Sequence, residues 1–173
     1  MDYKIRKRTE EDVNEFITWT YGGIYSFYDN NIQQEKIDGF IQSVNSESEF
    51  SVVDENNNLI GNCEFYYVDD DGDEIIAVGV QMKPSLTGQG NGFDFVHTVV
   101  EQGRELLNFN HLELAVVDFN KRAIRTYEKI GFKKKGRFDN EIRGNTYSFI
   151  IMAKDWRWEE IRYSTKGYWS MKD

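Results

Sequence analysis

The sequence has very little cysteine and no long hydrophobic run. Its single cysteine, Cys63, cannot form a disulfide within the chain. The apolar neighbours of Cys63 predict a buried strand residue rather than a nucleophile. No apolar run approaches the ~18 residues that a membrane-spanning helix needs, and the first eight residues lack the pattern of a secretion signal. We therefore expect a soluble, cytoplasmic protein without disulfides and without a membrane partner.

The chain also has fewer basic than acidic residues. The chain has 30 acidic and 21 basic residues, which gives a formal net charge of −9. Binding to the nucleic-acid backbone needs a basic face, so this balance argues against a nucleic-acid partner. The acidity is compatible with attraction of a cationic amine, but solubility alone is the simpler explanation.

A glycine-rich loop follows one of the predicted strands. The β-rich stretch Ile75 to Met82 stops at Pro84, which is the only proline, and a helical pattern opens at Gly92. Glycines at 88, 90 and 92 allow the backbone to bend and a phosphate to come close. The unpaired N–H groups and the dipole of the following helix favour negative charge. This junction therefore predicts an anion site, although a glycine turn without a ligand would look similar.

Three better-known binding loops do not fit. The alternate glycines lack the G-x-G-x-x-G spacing of a dinucleotide site, and no Gly-Lys-Ser/Thr of a P-loop is present. Asp69 to Asp73 is dense in carboxylates, but the EF-hand positions for glycine and glutamate hold Glu74 and Val80. We predict a solvated hairpin turn there and no metal site.

A second motif lies further along the chain. An apolar strand, Leu112 to Val117, leads to Asn120 and a short helix from about Lys121 to Ile130 that ends at Gly131. The remaining elements are predicted from periodicity and turn residues. They are a strand at Tyr3 to Arg6, a helix from the Thr9 capping box to Trp19, a helix at Gln34 to Val44, strands at Phe50 to Asp54 and Leu59 to Val68, a long helix from Gly92 to about Asn108, and a hairpin of Lys133 to Phe138 with Thr146 to Ala153.

These two motifs carry a family resemblance. Asn120 to Phe132 resembles the N-x-x-A-x-x-x-Y-x-x-x-G-F signature of the GNAT N-acetyltransferase superfamily. The glycine loop is similar to that family's Q/R-x-x-G-x-G/A acetyl-CoA motif, with Thr87 at the position that usually holds Gln or Arg. The resemblance implies an α/β fold with a mixed, mostly antiparallel central sheet and flanking helices. It also implies that the fourth and fifth strands splay apart around the pantetheine arm of acetyl-CoA.

The resemblance implies an acetyl-CoA site on the two motifs and on the strand before the loop. The expected residues are Val80, Gln81, Met82, Thr87, Gly88, Gln89, Gly90, Asn91, Gly92, Asn120 and Ala123. Asn120 would also serve as a simple helix N-cap.

The chemistry of acetyl transfer suggests roles for a few groups. A backbone N–H within Val80 to Met82 would stabilise the oxyanion. Tyr127 occupies the family position of the general acid, although its spacing also suits a buried helix aromatic. Glu74 is the candidate general base on the fourth strand, and an equally good reading has no dedicated base and passes the proton to water.

An aromatic stretch is the candidate acceptor wall. Its residues are Trp19, Tyr21, Tyr25, Tyr28 and Asp29. The aromatic faces suit an ammonium group and Asp29 could pair with it, but a packing cluster explains the same pattern. The leading hypothesis is an acetyl-CoA-dependent N-acetyltransferase that acts on a small amine or a protein amino group. The alternative is a domain that binds acetyl-CoA without catalysis.

The aromatic C-terminus falls outside the resemblance. We predict an acetyltransferase domain at 1–154 and an extension at 155–173 that packs on the same domain, with a partner surface as the alternative. The extension holds Trp156, Trp158, Tyr163, Tyr168 and Trp169. Either a monomer or a homodimer is compatible with the sequence.

Overall fold

A seven-stranded sheet forms the centre of the protein in the computed structural model, which describes residues 2–156. Within these residues the strand order is β1-β2-β3-β4-β5-β7-β6, and every neighbouring pair is antiparallel except β4 and β5. The strands are β1 Lys4–Lys7, β2 Glu49–Val53, β3 Leu59–Asp70, β4 Asp73–Met82, β5 His111–Val117, β6 Lys133–Ile142 and β7 Asn145–Asp155. The mixed, mostly antiparallel sheet confirms the predicted fold class.

Four α-helices and two short 3₁₀ helices flank this sheet in the described part of the chain. The α-helices are α1 Glu10–Ile17, α2 Gln34–Gln42, α3 Gly92–Leu107 and α4 Lys121–Ile130, and the 3₁₀ helices are Gly23–Tyr28 and Pro84–Leu86. The bounds of α4 agree with the prediction, and Gly131 ends that helix at φ 112°. None of the described helices is long and apolar enough to cross a membrane.

Helix α1 begins at the predicted capping box. The Thr9 side chain accepts the Asp12 N–H at 3.1 Å, and the Asp12 carboxylate accepts the Thr9 N–H at 3.0 Å. Burial favours the neutral form of Asp12, but Arg6, Thr9 and Ser51 donate to its carboxylate and together hold its pKa at about 2. This cluster ties α1 to β1 and β2.

Strands β4 and β5 separate soon after they meet. Their only register pair within residues 2–156 joins Ala77 to Glu113. Beyond Ala77, strand β4 continues to Met82 with β3 on one side and no strand on the other. The splay that the resemblance implies is therefore present, and it leaves one edge of β4 open.

Two apolar clusters cover the sheet. The larger cluster packs α3 and α4 on the strands and includes Phe95, Val99, Leu112 and Met152. The smaller cluster centres on α1 and includes Trp19. Trp156 follows β7 and packs in the larger cluster. Residues 157–173, which contain most of the predicted extension, lie outside the described residues.

The larger cluster holds α3 close to β3 at one glycine. A Cβ added at Gly103 would lie 2.1 Å from Cζ of Phe65, whose ring is buried in the core. We expect Gly103→Ala to lower the free energy of unfolding by about 1–3 kcal/mol through overpacking, although alanine favours helix. Urea unfolding measures this change. Gly39→Ala in α2, where a Cβ meets nothing within 4 Å, is the matched control, and equal stabilisation of both variants would contradict the packing.

Candidate active site

A cavity of about 570 Å³ opens between the splayed strands. The glycine loop, the open edge of β4, the end of β5 and one face of α4 surround it. The predicted site residues among its lining are Tyr21, Tyr25, Tyr28, Val80, Gln81, Met82, Thr87, Gly88, Gly90, Gly92, Asn120, Ala123 and Tyr127. The two sequence motifs therefore meet at one cavity.

The glycine loop has the geometry of an anion cradle. Gly88 and Gly90 have φ angles of 71° and 83°, which side-chain-bearing residues rarely adopt. Within residues 2–156, the backbone N–H groups from Gly88 to Gly92 have no protein acceptor. Asn91 precedes α3 without capping it through its side chain, so the first turn of α3 also keeps its donors free. The loop can therefore bind phosphate through its backbone.

Two basic side chains on α4 were not predicted. Arg122 and Lys129 line the cavity together with Thr126. Arg122 lies 4.6 Å from the centre of the Tyr25 ring, and its Nη1 is 2.8 Å from where a Cβ of Gly88 would stand. Residues i, i+4 and i+7 share a helix face, so their spacing was a usable signal. These cations add charge attraction for a phosphate-bearing ligand.

The open edge of β4 presents backbone groups to the cavity. Lys83 donates its N–H to the Ile60 carbonyl at 2.8 Å, which fixes which residues of β4 bond to β3. In an antiparallel pair, alternate residues of a strand form hydrogen bonds with the neighbouring strand. Lys83 and Gln81 bond to β3, so the N–H groups of Val80 and Met82 point away from β3, toward the space between β4 and β5. The carbonyl of Met82 already accepts the Tyr21 hydroxyl at 2.5 Å. The N–H groups of Val80 and Met82 can stabilise an oxyanion.

Tyr127 is a buried residue of α4 that also lines the cavity. Burial raises the pKa of its hydroxyl, with nearby Tyr28 as a smaller cause, so the group is a proton-bearing donor at neutral pH. Burial also raises the pKa of Tyr28 to about 12, although its oxygen accepts a hydrogen bond from the Asn120 amide at 3.0 Å. Asn120 accepts the Ala123 N–H and so caps α4, as predicted.

A second cavity of about 360 Å³ adjoins the first. The two share a wall formed by Tyr28, Glu64, Gly79, Val80 and Gln81. Strands β3 and β4 therefore contribute to the walls of both cavities, and the volume of the second cavity suits a small molecule.

Glu64 is the functional candidate that the sequence prediction missed. It is opposite Gly79 in the β3–β4 register, and its Oε1 is 3.0 Å from where a Cβ of Gly79 would stand. The Glu64 side chain lines both cavities and is exposed, yet partial desolvation by the surrounding protein, followed by the charge of Glu49, raises its pKa. No residue within 2–156 donates a hydrogen bond or forms an ion pair with it. A carboxylate in this state can accept a proton.

Some predicted site residues do not reach either cavity. Glu74 is exposed near the start of β4, opposite Asp69, and lines neither cavity. Trp19 is buried in the smaller apolar cluster, and Asp29 accepts the Tyr21 N–H at 2.6 Å. Gln89 and Asn91 belong to the glycine loop, where their side chains donate to the carbonyls of Ser85 and Leu86.

Groups for other chemistries are not placed at the cavities. Cys63 is fully buried, and burial raises the pKa of its thiol to about 12, which removes its nucleophilic form. Glu113 on β5 is held by His111 and Lys135. The described residues contain no cluster of three or more His, Cys, Asp or Glu side chains that could hold a metal ion.

Several solved structures share this fold. A GNAT-family acetyltransferase from Bacillus anthracis is 18% identical, with a TM-score of 0.70 over 90% of this chain and 95% of that one. A spermidine N-acetyltransferase chimera from Vibrio cholerae is 17% identical, with a TM-score of 0.73 over 96% of this chain and 99% of that one. A GNAT-family acetyltransferase from Streptococcus pneumoniae is 17% identical, with a TM-score of 0.61 over 89% and 99%. At these identities the likeness is one of fold.

Sequence comparison identifies the family directly. No curated protein matches the chain. The family model described as an acetyltransferase (GNAT) domain matches residues 2–133, which include both motifs and the open edge of β4. Because this match covers well over half of the chain, the protein belongs to the GNAT family of N-acetyltransferases.

Proposed function

We propose that this protein transfers the acetyl group of acetyl-CoA to a primary amine of a small molecule or a protein. The observation that carries the proposal is the cavity of about 570 Å³, where the glycine loop, the open edge of β4 and Tyr127 come together. Free N–H groups of the loop, with Arg122 and Lys129 beside them, suit the phosphates of the cofactor. The open β4 edge suits an extended amide-bearing arm.

Direct attack of the amine on the thioester fits the side chains present. The only cysteine is buried with a raised pKa, and neither histidine lines a cavity, so neither a cysteine thiolate nor a histidine-activated hydroxyl is placed to form an acyl-enzyme. The amine nitrogen forms a bond to the carbonyl carbon, and the carbon–sulfur bond then breaks. The N–H groups of Val80 and Met82 stabilise the oxyanion, and the Tyr127 hydroxyl donates to the departing sulfur. Glu64 receives the proton that the ammonium loses before it attacks, and the second proton, which the nitrogen loses as the amide forms, restores the Tyr127 hydroxyl.

The proposed function is tested by two measurements on the same preparation. Calorimetry with acetyl-CoA measures binding, and thiol release with a panel of primary amines measures transfer. Binding together with amine-dependent thiol release is the expected result. Binding without release from any amine would favour a domain that only binds acetyl-CoA, and the absence of binding would overturn the assignment of the loop.

The backbone of the glycine loop can be tested separately. Gly90 has a positive φ angle and open space around it, so a valine there would strain the loop and obstruct its N–H groups without a clash. Loss of one hydrogen bond to a charged group corresponds to about 10–100-fold in affinity. We expect Gly90→Val to weaken acetyl-CoA binding by about that factor, as measured by calorimetry.

The matched control is Gly72→Val in the β3–β4 turn. Gly72 also has a positive φ angle, 91°, and nothing within 4 Å of an added Cβ. Both variants carry similar backbone strain, but only Gly90 lines the cavity. Equal loss of affinity in the two variants would mean that strain, rather than the phosphate cradle, explains the effect.

A further inference from the structure

The second cavity contains more charge than an ordinary amine pocket needs. Its lining includes two cationic and two anionic side chains, which are Arg8, Lys36, Glu49 and Glu64. Some of these charges are already neutralised by other groups of the protein. The charges that are not neutralised determine which chemical groups the cavity can bind.

Arg8 and Glu49 form an ion pair with each other. Arg8 is buried, and its guanidinium donates to Ser43 Oγ at 2.9 Å and to two backbone carbonyls. One of its nitrogens lies 3.5 Å from Glu49 Oε1. A buried guanidinium with this many protein acceptors is a structural group, and Glu49 is its counter-charge. Neither is free to bind a ligand.

Glu64 remains as the negative end of the cavity. It lies in the wall shared with the first cavity, directly opposite Gly79, and no residue within 2–156 neutralises it by an ion pair. The absence of a side chain at Gly79 gives the carboxylate its room, because an added Cβ would come within 3.1 Å of Glu64 Cγ. An ammonium group entering this cavity would find its partner here.

Lys36 remains as the positive end. Its ammonium donates to the carbonyls of Tyr28 and Asp29 at 3.2 and 3.1 Å, which leaves a third N–H and a full charge. Burial and the nearby cation Arg143 lower its pKa, while the carboxylates of Asp29 and Glu64 oppose that change. The Asp29 carboxylate already accepts the Tyr21 N–H. Lys36 is therefore the cation that this wall of the cavity presents, and Arg143, which does not line the cavity, adds positive charge near it.

We propose, on the basis of the proposed function, that the acetyl acceptor is a small amino acid whose ammonium binds Glu64 and whose carboxylate binds Lys36. The volume of about 360 Å³ suits a small molecule rather than a folded substrate. A polyamine would instead place its second cation beside Lys36, which like-charge repulsion disfavours.

The test compares matched acceptors that differ only in the carboxylate. Acetyl transfer is measured with leucine and 3-methylbutylamine, with 6-aminohexanoate and pentylamine, and with spermidine. We expect kcat/KM to be about tenfold or more higher for the member of each pair that carries the carboxylate, since one charge-assisted contact is worth that factor. Spermidine is expected to be the poorest acceptor. Equal values within both pairs, or a preference for spermidine, would overturn the inference.

Variants of Lys36 test whether this residue causes the preference for acceptors with a carboxylate. Lys36→Met should raise KM for the amino acids and leave the amines unchanged, and Lys36→Arg should restore the preference because it restores the charge. Lys83→Met is the control, because Lys83 pairs with Glu15 and lines neither cavity. A preference that survives Lys36→Met would overturn the role of Lys36.

Failure of the proposed function would be visible separately. Calorimetric titration with the same amino acids and amines needs no acetyl transfer. Selective binding of the amino acids without thiol release would support recognition of an amino acid by Glu64 and Lys36 and would contradict the enzymatic proposal. Absence of selective binding and of selective transfer would overturn the inference.

Discussion

Tyr127→Phe is expected to reduce kcat about 100-fold, in line with the usual effect of losing a catalytic proton donor. The substitution removes only the hydroxyl from a buried ring that packs against Phe132 with ring centres 6.1 Å apart. Binding of acetyl-CoA should therefore stay within about threefold of the wild type, because the proposed phosphate contacts come from the glycine loop, Arg122 and Lys129 and not from the Tyr127 hydroxyl. Steady-state kinetics and calorimetry measure the two quantities.

The control for Tyr127 is Tyr67→Phe. Tyr67 lies on β3, is 64% exposed and lines neither cavity. The Tyr67→Phe variant should retain full activity. Parallel loss of turnover and cofactor binding in Tyr127→Phe would instead show that the hydroxyl serves the architecture of the site, and unchanged kcat would remove Tyr127 from the mechanism.

Glu64→Gln is expected to produce a loss of similar size, about 100-fold in kcat/KM near neutral pH. Glutamine keeps the shape of the side chain but cannot accept the proton. Because burial raises the pKa of Glu64, wild-type activity should fall as the pH decreases through that raised pKa, since the carboxylate then becomes protonated. The acid limb of the pH profile should be missing in the variant.

Glu74→Gln offers a matched control for Glu64. Both side chains are exposed and both substitutions remove one negative charge from the β3–β4 hairpin, but Glu74 lies near the turn, opposite Asp69, and lines neither cavity. Glu74→Gln should keep the activity and the acid limb of the wild type. An acid limb that persists in Glu64→Gln would mean that water, and not Glu64, receives the proton.

Motifs that are local in sequence were predictable. Helix α4 and its caps depend on Asn120 and Gly131, and α1 depends on Thr9 and Asp12, so a short segment contains the whole signal. The glycine loop is local in the same way. The family resemblance then supplied the arrangement of the sheet.

The candidate base depends on a longer-range relation. Glu64 reaches the cavity only because β3 and β4 pair in a register that places it opposite Gly79. Side-chain alternation along β4 indicates the face of the sheet on which Glu74 lies. It does not indicate that Glu74 lies far from the place where β4 and β5 separate. Pairing register between strands is not readable from either strand alone.

Only some residues of the predicted acceptor wall line a cavity, and the reason is similar. Tyr21, Tyr25 and Tyr28 reach the cavity, whereas Trp19 packs against Phe16 at 5.0 Å between ring centres. Tyr25 and Tyr28 belong to the short 3₁₀ helix Gly23–Tyr28, and Trp19 and Tyr21 lie outside regular helices, so no apolar period distinguishes the ring that packs inward from the rings that line the cavity.

The most direct test of the account follows both products of one reaction. The protein is incubated with acetyl-CoA and an amine acceptor, and free thiol and N-acetylated amine are quantified together by colorimetry and mass spectrometry. The account predicts equal amounts of the two products, at a rate that Tyr127→Phe reduces. Thiol without acetylated amine would show hydrolysis rather than transfer, and bound acetyl-CoA that yields neither product would contradict an N-acetyltransferase.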